Sequence, residues 1–204
     1  MARNTMKRRR LMILELVESF PNAVWTSAFL LAYTVQVLRV GEAWWGFQGS
    51  AFMVGSILGR MLVTVLSRRF SHQLGRTIGI SSAIIGGIAL AYAGVPVPII
   101  AVALSWIDGV VFNVRYVVEQ SMIQGSVESH FLARVFAVQG LLLSVMSILS
   151  TVGMSYLADR IGVQAVYVVA GAGYFVVFAI AMGSKVFWRY VLPTERMAGA
   201  EQTV

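Results

Sequence analysis

The chain has 204 residues, 58% hydrophobic and only 12% charged, where soluble domains carry roughly 25% charged residues, so an ordinary water-soluble globule is excluded. A formal net charge of +7 would suit nucleic acid, but the bases lie between apolar runs and form no basic helix or patch, so the lipid bilayer is the expected partner and nucleic acid is not. Absence of cysteine removes disulfides, thiol nucleophiles and thiolate metal sites.

At about 20 apolar residues per crossing, this length holds about six spanning helices. Residues 1–10 form a basic N-terminus with Arg3, Lys7, Arg8, Arg9 and Arg10. It resembles the start of a signal peptide, but Glu15, Glu18 and Pro21 interrupt the apolar core such a peptide needs, and no small-residue cleavage site follows. A first spanning helix running to about Leu38 is the better reading. Further apolar stretches cover roughly 47–67, 77–95, 97–124, 133–157 and 163–187, which gives a six-helix membrane domain over 11–187 and a tail over 188–204. Gly94-Val95-Pro96-Val97-Pro98 breaks the third stretch from the fourth as an uncharged turn.

Orientation follows from the bases. The N-terminal cluster, Arg68, Arg69, Arg76, Arg134, Lys185, Arg189 and Arg196 fall on one side, against Arg39 and Arg160 on the other. The positive-inside rule then places both termini in the cytoplasm. Trp44, Trp45 and Phe47 are expected at the outer interface, and Trp188 and Tyr190 at the inner one. One constant shift lays Leu66-Ser67-Arg68-Arg69-Phe70 over Leu157-Ala158-Asp159-Arg160-Ile161 and Asn22 over Asn113. Three helices separate the copies, the spacing of an inverted repeat of three plus three helices.

Charges inside spanning segments are costly, so they face a polar interior and pair. On the fourth helix Asp108, Arg115 and Glu119 fall within about 20° of one line, with Phe112 close by. Arg115 and Glu119 are one turn apart and suit an ion pair. This stripe reads as a transport pathway or proton-coupling site, or else as a structural ion network. Asn113, Gln120 and Gln124 make a second stripe, read as polar contacts between helices.

On the first helix Glu15, Glu18, Asn22, Trp25, Thr26, Phe29, Tyr33 and Gln36 sum to one mixed polar and aromatic face, with Asn22, Trp25, Phe29 and Tyr33 suited to lining a cavity for an amphipathic organic solute. Glu18 reads equally as pathway or as structure. Glu15 reads as a surface residue paired with Arg8–Arg10, and Arg60 as a base that snorkels to the headgroups. His72 and His130 are expected in loops and Asp159 in an outer loop, which leaves no membrane-embedded set for a metalloprotease, a serine protease or an aspartyl dyad. No enzyme activity, metal or cofactor is expected.

Gly59 to Arg76, GRMLVTVLSRRFSHQLGR, resembles the basic loop between the second and third helices of a six-helix half in the major facilitator superfamily. FNVRYVVEQSMIQGSVESHFLARVFAVQ from Phe112 and YLADRIGVQAVYVVAGAG from Tyr156 resemble the last three helices of its drug- and siderophore-exporter-type members. The resemblance covers nearly the whole chain and is to the C-terminal half. It implies an all-α integral membrane half bundle, a gating loop at Arg68, Arg69 and Arg76, and proton-coupled efflux of a small organic solute. Ser67 and Ser71 stand where that loop usually has Asp and Gly, so no gating role of the acid carries over. Such halves work in pairs, so the expected partner is a second copy or a separately encoded N-terminal half. The alternative is a non-transporting membrane subunit or the remnant of a split transporter gene.

Overall fold

A computed structural model describes residues 2–65, 74–125 and 129–183. Every regular element among them is helical: α1 (Ala2–Asn22), a 3-10 turn (Ala23–Trp25), α2 (Ser27–Gln36), α3 (Ala43–Val65), α4 (Leu74–Gly94), α5 (Pro98–Gln124), α6 (Ser129–Ile161) and α7 (Val163–Gly183). α3 to α7 each contain a stretch long and apolar enough to cross a membrane. The chain therefore fits an integral membrane helical bundle.

The first crossing differs from expectation. A continuous helix to about Leu38 is replaced by α1 and α2, separated by the 3-10 turn and by Thr26 in an extended conformation. Pro21 sits in the last turn of α1 and removes a backbone donor there. The Thr26 backbone N–H and hydroxyl both donate to the carbonyl of Ala23, at 3.2 and 2.9 Å, and close the turn. Gly173 lets α7 approach the Pro21 ring closely at this point.

The other boundaries lie within a few residues of the apolar stretches. Val97, extended, and Pro98 in the first turn start α5 after the expected break, where proline's missing N–H costs nothing. Gly162, at φ +85°, separates α6 from α7 and donates its N–H to Ala158 at 2.8 Å, a left-handed stop that favours glycine. Because α6 runs from Ser129 to Ile161, His130 lies in its first turn and Asp159 in its last, not in loops.

Two buried clusters mark the two ends of the bundle. At one end Tyr33, Tyr92 and Tyr167 pack with Trp25, the Tyr92 and Tyr167 rings stacked 5.4 Å apart. Such aromatic pairs contribute about 0.5–1.5 kcal/mol each beyond their area. The Tyr92 hydroxyl lies 2.6 Å from that of Ser105 and 2.9 Å from the Ala101 carbonyl, joining α4 to the start of α5. Gln48 donates to Thr34 at 2.9 Å, bringing the start of α3 to the same end. At the opposite end Leu14, Ile78, Val118, Met122, Val177 and Ala181 form the second cluster.

α3 packs most extensively on α5, and α4 on α7. Glycine sets the first contact: a Cβ on Gly55 or Gly59 would meet the α5 backbone at Trp106 or Val110, and one on Gly109 would meet Phe52 of α3. The G-x-x-x-G pair is thus a close-approach site. α6 is the least buried of the five spans and touches chiefly α1 and α7. Much of its surface is exposed and apolar, with Leu141, Ile148 and Leu149 above 60% exposed. Met53, Ile57 and Met61 form a similar exposed row on α3.

Candidate functional site

α5 carries charge into the bundle because its neighbours supply partners. Arg115 is 3% exposed. Its Nε donates to Glu119 at 2.8 Å, its Nη1 donates to the Ser82 hydroxyl of α4 at 2.9 Å, and its remaining reach is taken by Glu18 of α1. One guanidinium therefore ties three helices. Two carboxylates share one base, which leaves the group with a formal charge of −1 if both acids are ionised. Glu15, one turn before Glu18, accepts from Gln139 of α6 at 2.6 Å, so its partner lies on another helix. The side chains of Arg8–Arg10 lie outside the described residues.

These groups line a cavity of about 190 Å³, with Glu15, Glu18, Arg115, Glu119, Gln120 and Gln139 among its walls. A larger cavity of about 860 Å³ lies farther along α5 toward the tyrosine end. Its walls come from the α1–α2 break, the first half of α3, α5 and Ser147 of α6. Asn22 and Phe112 border both spaces. The Asn22 side chain accepts from the Tyr174 hydroxyl at 3.1 Å, and Phe112 lies between the rings of Phe52 and Tyr116. The two spaces thus follow one another along one face of α5, with Asn22 and Phe112 as shared walls.

Asp108 lines the larger cavity, 3% exposed, with its Oδ1 lacking a hydrogen-bond partner. It forms no ion pair among the described residues. Asp108, Arg115 and Glu119 share a face of α5 yet separate into two environments, one carboxylate alone and two around a guanidinium.

Of the aromatic face read on the first helix, Asn22 and Trp25 line the large cavity, whereas Phe29 and Tyr33 do not. Both are buried in the core, and the Tyr33 hydroxyl donates to the Tyr92 carbonyl at 2.8 Å. The reason is the break at Ala23–Thr26, which resets the helical phase, so angles summed from Glu15 no longer apply to α2. Thr26, read on the same face, does line the cavity, and Ser27 and Leu30 stand in place of the two aromatics.

The amides of α5 also part company. Asn113 is buried and accepts from Nε of Arg60 at 3.0 Å, a contact between α5 and α3. Arg60 thus has a defined partner as well as an exposed surface. Gln120 lines the smaller cavity, and Gln124 is exposed at the helix end. Arg76 lies exposed in the first turn of α4; Arg68 and Arg69 lie outside the described residues. Sequence reasoning passed over Ser82, Gln139 and Ser105. A serine or glutamine in an apolar segment resembles any tolerated small or polar residue until its partner helix is known.

Among known proteins, the chain is 27% identical over 174 residues to YjbB of Bacillus subtilis, an uncharacterized MFS-type transporter. It is 28% identical over 165 residues to YfmI, another uncharacterized MFS-type transporter of the same organism. The matches cover 85% and 81% of this chain but only 43% and 41% of those proteins, so the chain spans less than half the length of either. No protein-family model matches the chain, and no solved structure matches it. Fold and likeness together describe a multi-pass helical membrane protein similar to transporters named MFS-type.

Proposed function

We propose that the chain is one six-helix half of a transporter of the major facilitator type, moving a small organic solute across the membrane. The broken α1–α2 pair serves as the first crossing and α3 to α7 as the other five, arranged as an inverted three-plus-three repeat. The observation that carries this reading is the pair of cavities along α5, one holding a lone buried carboxylate and the other a shared guanidinium. Buried charge is expensive in a membrane, and a chain that needed only a stable bundle would gain more from apolar packing there.

A second six-helix half completes the pathway, either a second copy or an N-terminal half. The exposed apolar rows of α3 and α6 flank the large cavity and suit such a partner. Transport is outward and coupled to protons through the carboxylates Glu18 and Glu119. Both termini face the cytoplasm of a bacterial plasma membrane.

The test uses protein extracted intact from its membrane and placed in vesicles loaded with a pH-sensitive dye. A panel of organic ammonium, carboxylate and neutral solutes is then added. Solute-dependent proton movement through the wild type, lost in Glu119→Gln at equal protein content, supports the proposal. Proton movement with none of the solute classes overturns it.

A further inference from the structure

The two cavities differ in charge, and the difference specifies a ligand. Glu15, Glu18, Arg115 and Glu119 line the smaller space, where every acid already has a partner: Glu18 and Glu119 share Arg115, and Glu15 accepts from Gln139. Among the described residues, Asp108 is the one ionisable group in the walls of the larger space. No lysine, arginine or histidine among the described residues borders that cavity. An ionised carboxylate buried without a counter-charge costs several kcal/mol. A cation entering the cavity would remove that cost, whereas an anion would add to it.

The other walls describe the remainder of the ligand. Trp25, Trp45, Phe52 and Phe112 offer aromatic faces, which attract cations and provide flat apolar area. Ser50, Ser105 and Ser147 add hydroxyls for a few orienting hydrogen bonds. A volume of about 860 Å³ lies in the range of pockets that enclose drug-sized organic molecules. One carboxylate balances one positive charge.

We infer that this cavity binds an amphipathic organic monocation, its ammonium group on Asp108 and its aromatic body against Trp25 and Phe112. The inference rests on the transport reading for its biological sense, but the binding itself does not require transport. Asn22 and Phe112 separate this solute site from the Glu18–Arg115–Glu119 group, so solute and coupling charge occupy different compartments.

Two probes share one ring system and differ in charge: propranolol, a naphthyl ether bearing an ammonium, and 1-naphthoxyacetate, a naphthyl ether bearing a carboxylate. Binding to the intact protein in lipid nanodiscs is read from naphthyl fluorescence, with empty nanodiscs subtracted. The wild type is expected to bind propranolol about tenfold or more tightly than the anion, the scale of one charge-assisted hydrogen bond. Asp108→Asn is expected to bring the two affinities within about threefold of each other, and Asp108→Glu to restore the preference in part.

Equal affinity of the wild type for the two probes would overturn the inference without any variant. So would an unchanged preference in Asp108→Asn. Should the cation preference hold while no solute drives proton movement, the binding site stands and the transport proposal falls. Should carboxylates or neutral solutes alone drive proton movement, transport stands and the monocation site falls.

Discussion

Replacing Arg115 by methionine should destabilise the bundle far more than replacing either of its acidic partners. Arg115 is 3% exposed and bonds at once to Glu18, Glu119 and Ser82, on three different helices. Methionine keeps the apolar stem but leaves Glu18 and Glu119, each only 14% exposed, facing one another without a counter-charge. Removing one partner of a buried ion pair costs about 3–5 kcal/mol, because the remaining charge is left unpaired. Glu18→Gln, by contrast, leaves a neutral Arg115–Glu119 pair and an amide that can still accept from the guanidinium, so its cost should stay near 1 kcal/mol, about the value of a hydrogen bond. The triple change Arg115→Met, Glu18→Gln, Glu119→Gln removes all three charges and should recover much of the loss. Denaturant-induced loss of helicity, followed by circular dichroism in one detergent, gives the order. Arg115→Met as stable as Glu18→Gln, or a triple variant no better than Arg115→Met, would refute the reasoning about shared charge.

Three further outcomes follow from packing. Gly55→Val should abolish accumulation of folded protein, since its side chain would occupy the space of the Trp106 carbonyl on α5, whereas Gly87→Ala, with open space around it, should be neutral or stabilising by up to about 1 kcal/mol. Membrane yield and thermal unfolding measure both. Tyr92→Phe should cost about 1–3 kcal/mol by leaving the Ser105 and Gln48 side chains short of a buried partner, read by the same denaturation. Arg60→Met should be milder, because Arg60 is exposed and Asn113 keeps its bond to the Gly109 carbonyl.

The helices of this bundle were readable because lipid imposes a length on them: α3 to α7 coincide with the apolar stretches, and their ends fall at Pro98, Gly94 and Gly162, where backbone chemistry requires a stop. The pairing of Arg115 with Glu119 was readable too, being local to one turn. Contacts between distant segments were not. Nothing in the spacing of Glu15 and Gln139, or of Ser82 and Arg115, indicates that they meet, since those pairings depend on how helices cross. The misplacement of Phe29 and Tyr33 has a different origin. A proline signals a disturbance, but the turn and extended residue that follow it decide which face emerges afterwards. Periodicity was carried across a break where the period is not conserved.

The central claim is that the two spaces along α5 are a water-accessible route into the membrane domain, and the absence of cysteine makes it directly testable. Single cysteines are placed at Ser50 and Ser147 in the large cavity, at Ser19 in the small one, and at Ile57 and Ile148 on the exposed apolar rows. Intact cells and inverted membrane vesicles are then treated with a membrane-impermeant thiosulfonate. The cavity positions should react, Ser50→Cys faster from one face and Ser19→Cys faster from the other, while Ile57→Cys and Ile148→Cys stay unmodified. Cavity cysteines no more reactive than those on the apolar rows would contradict the account.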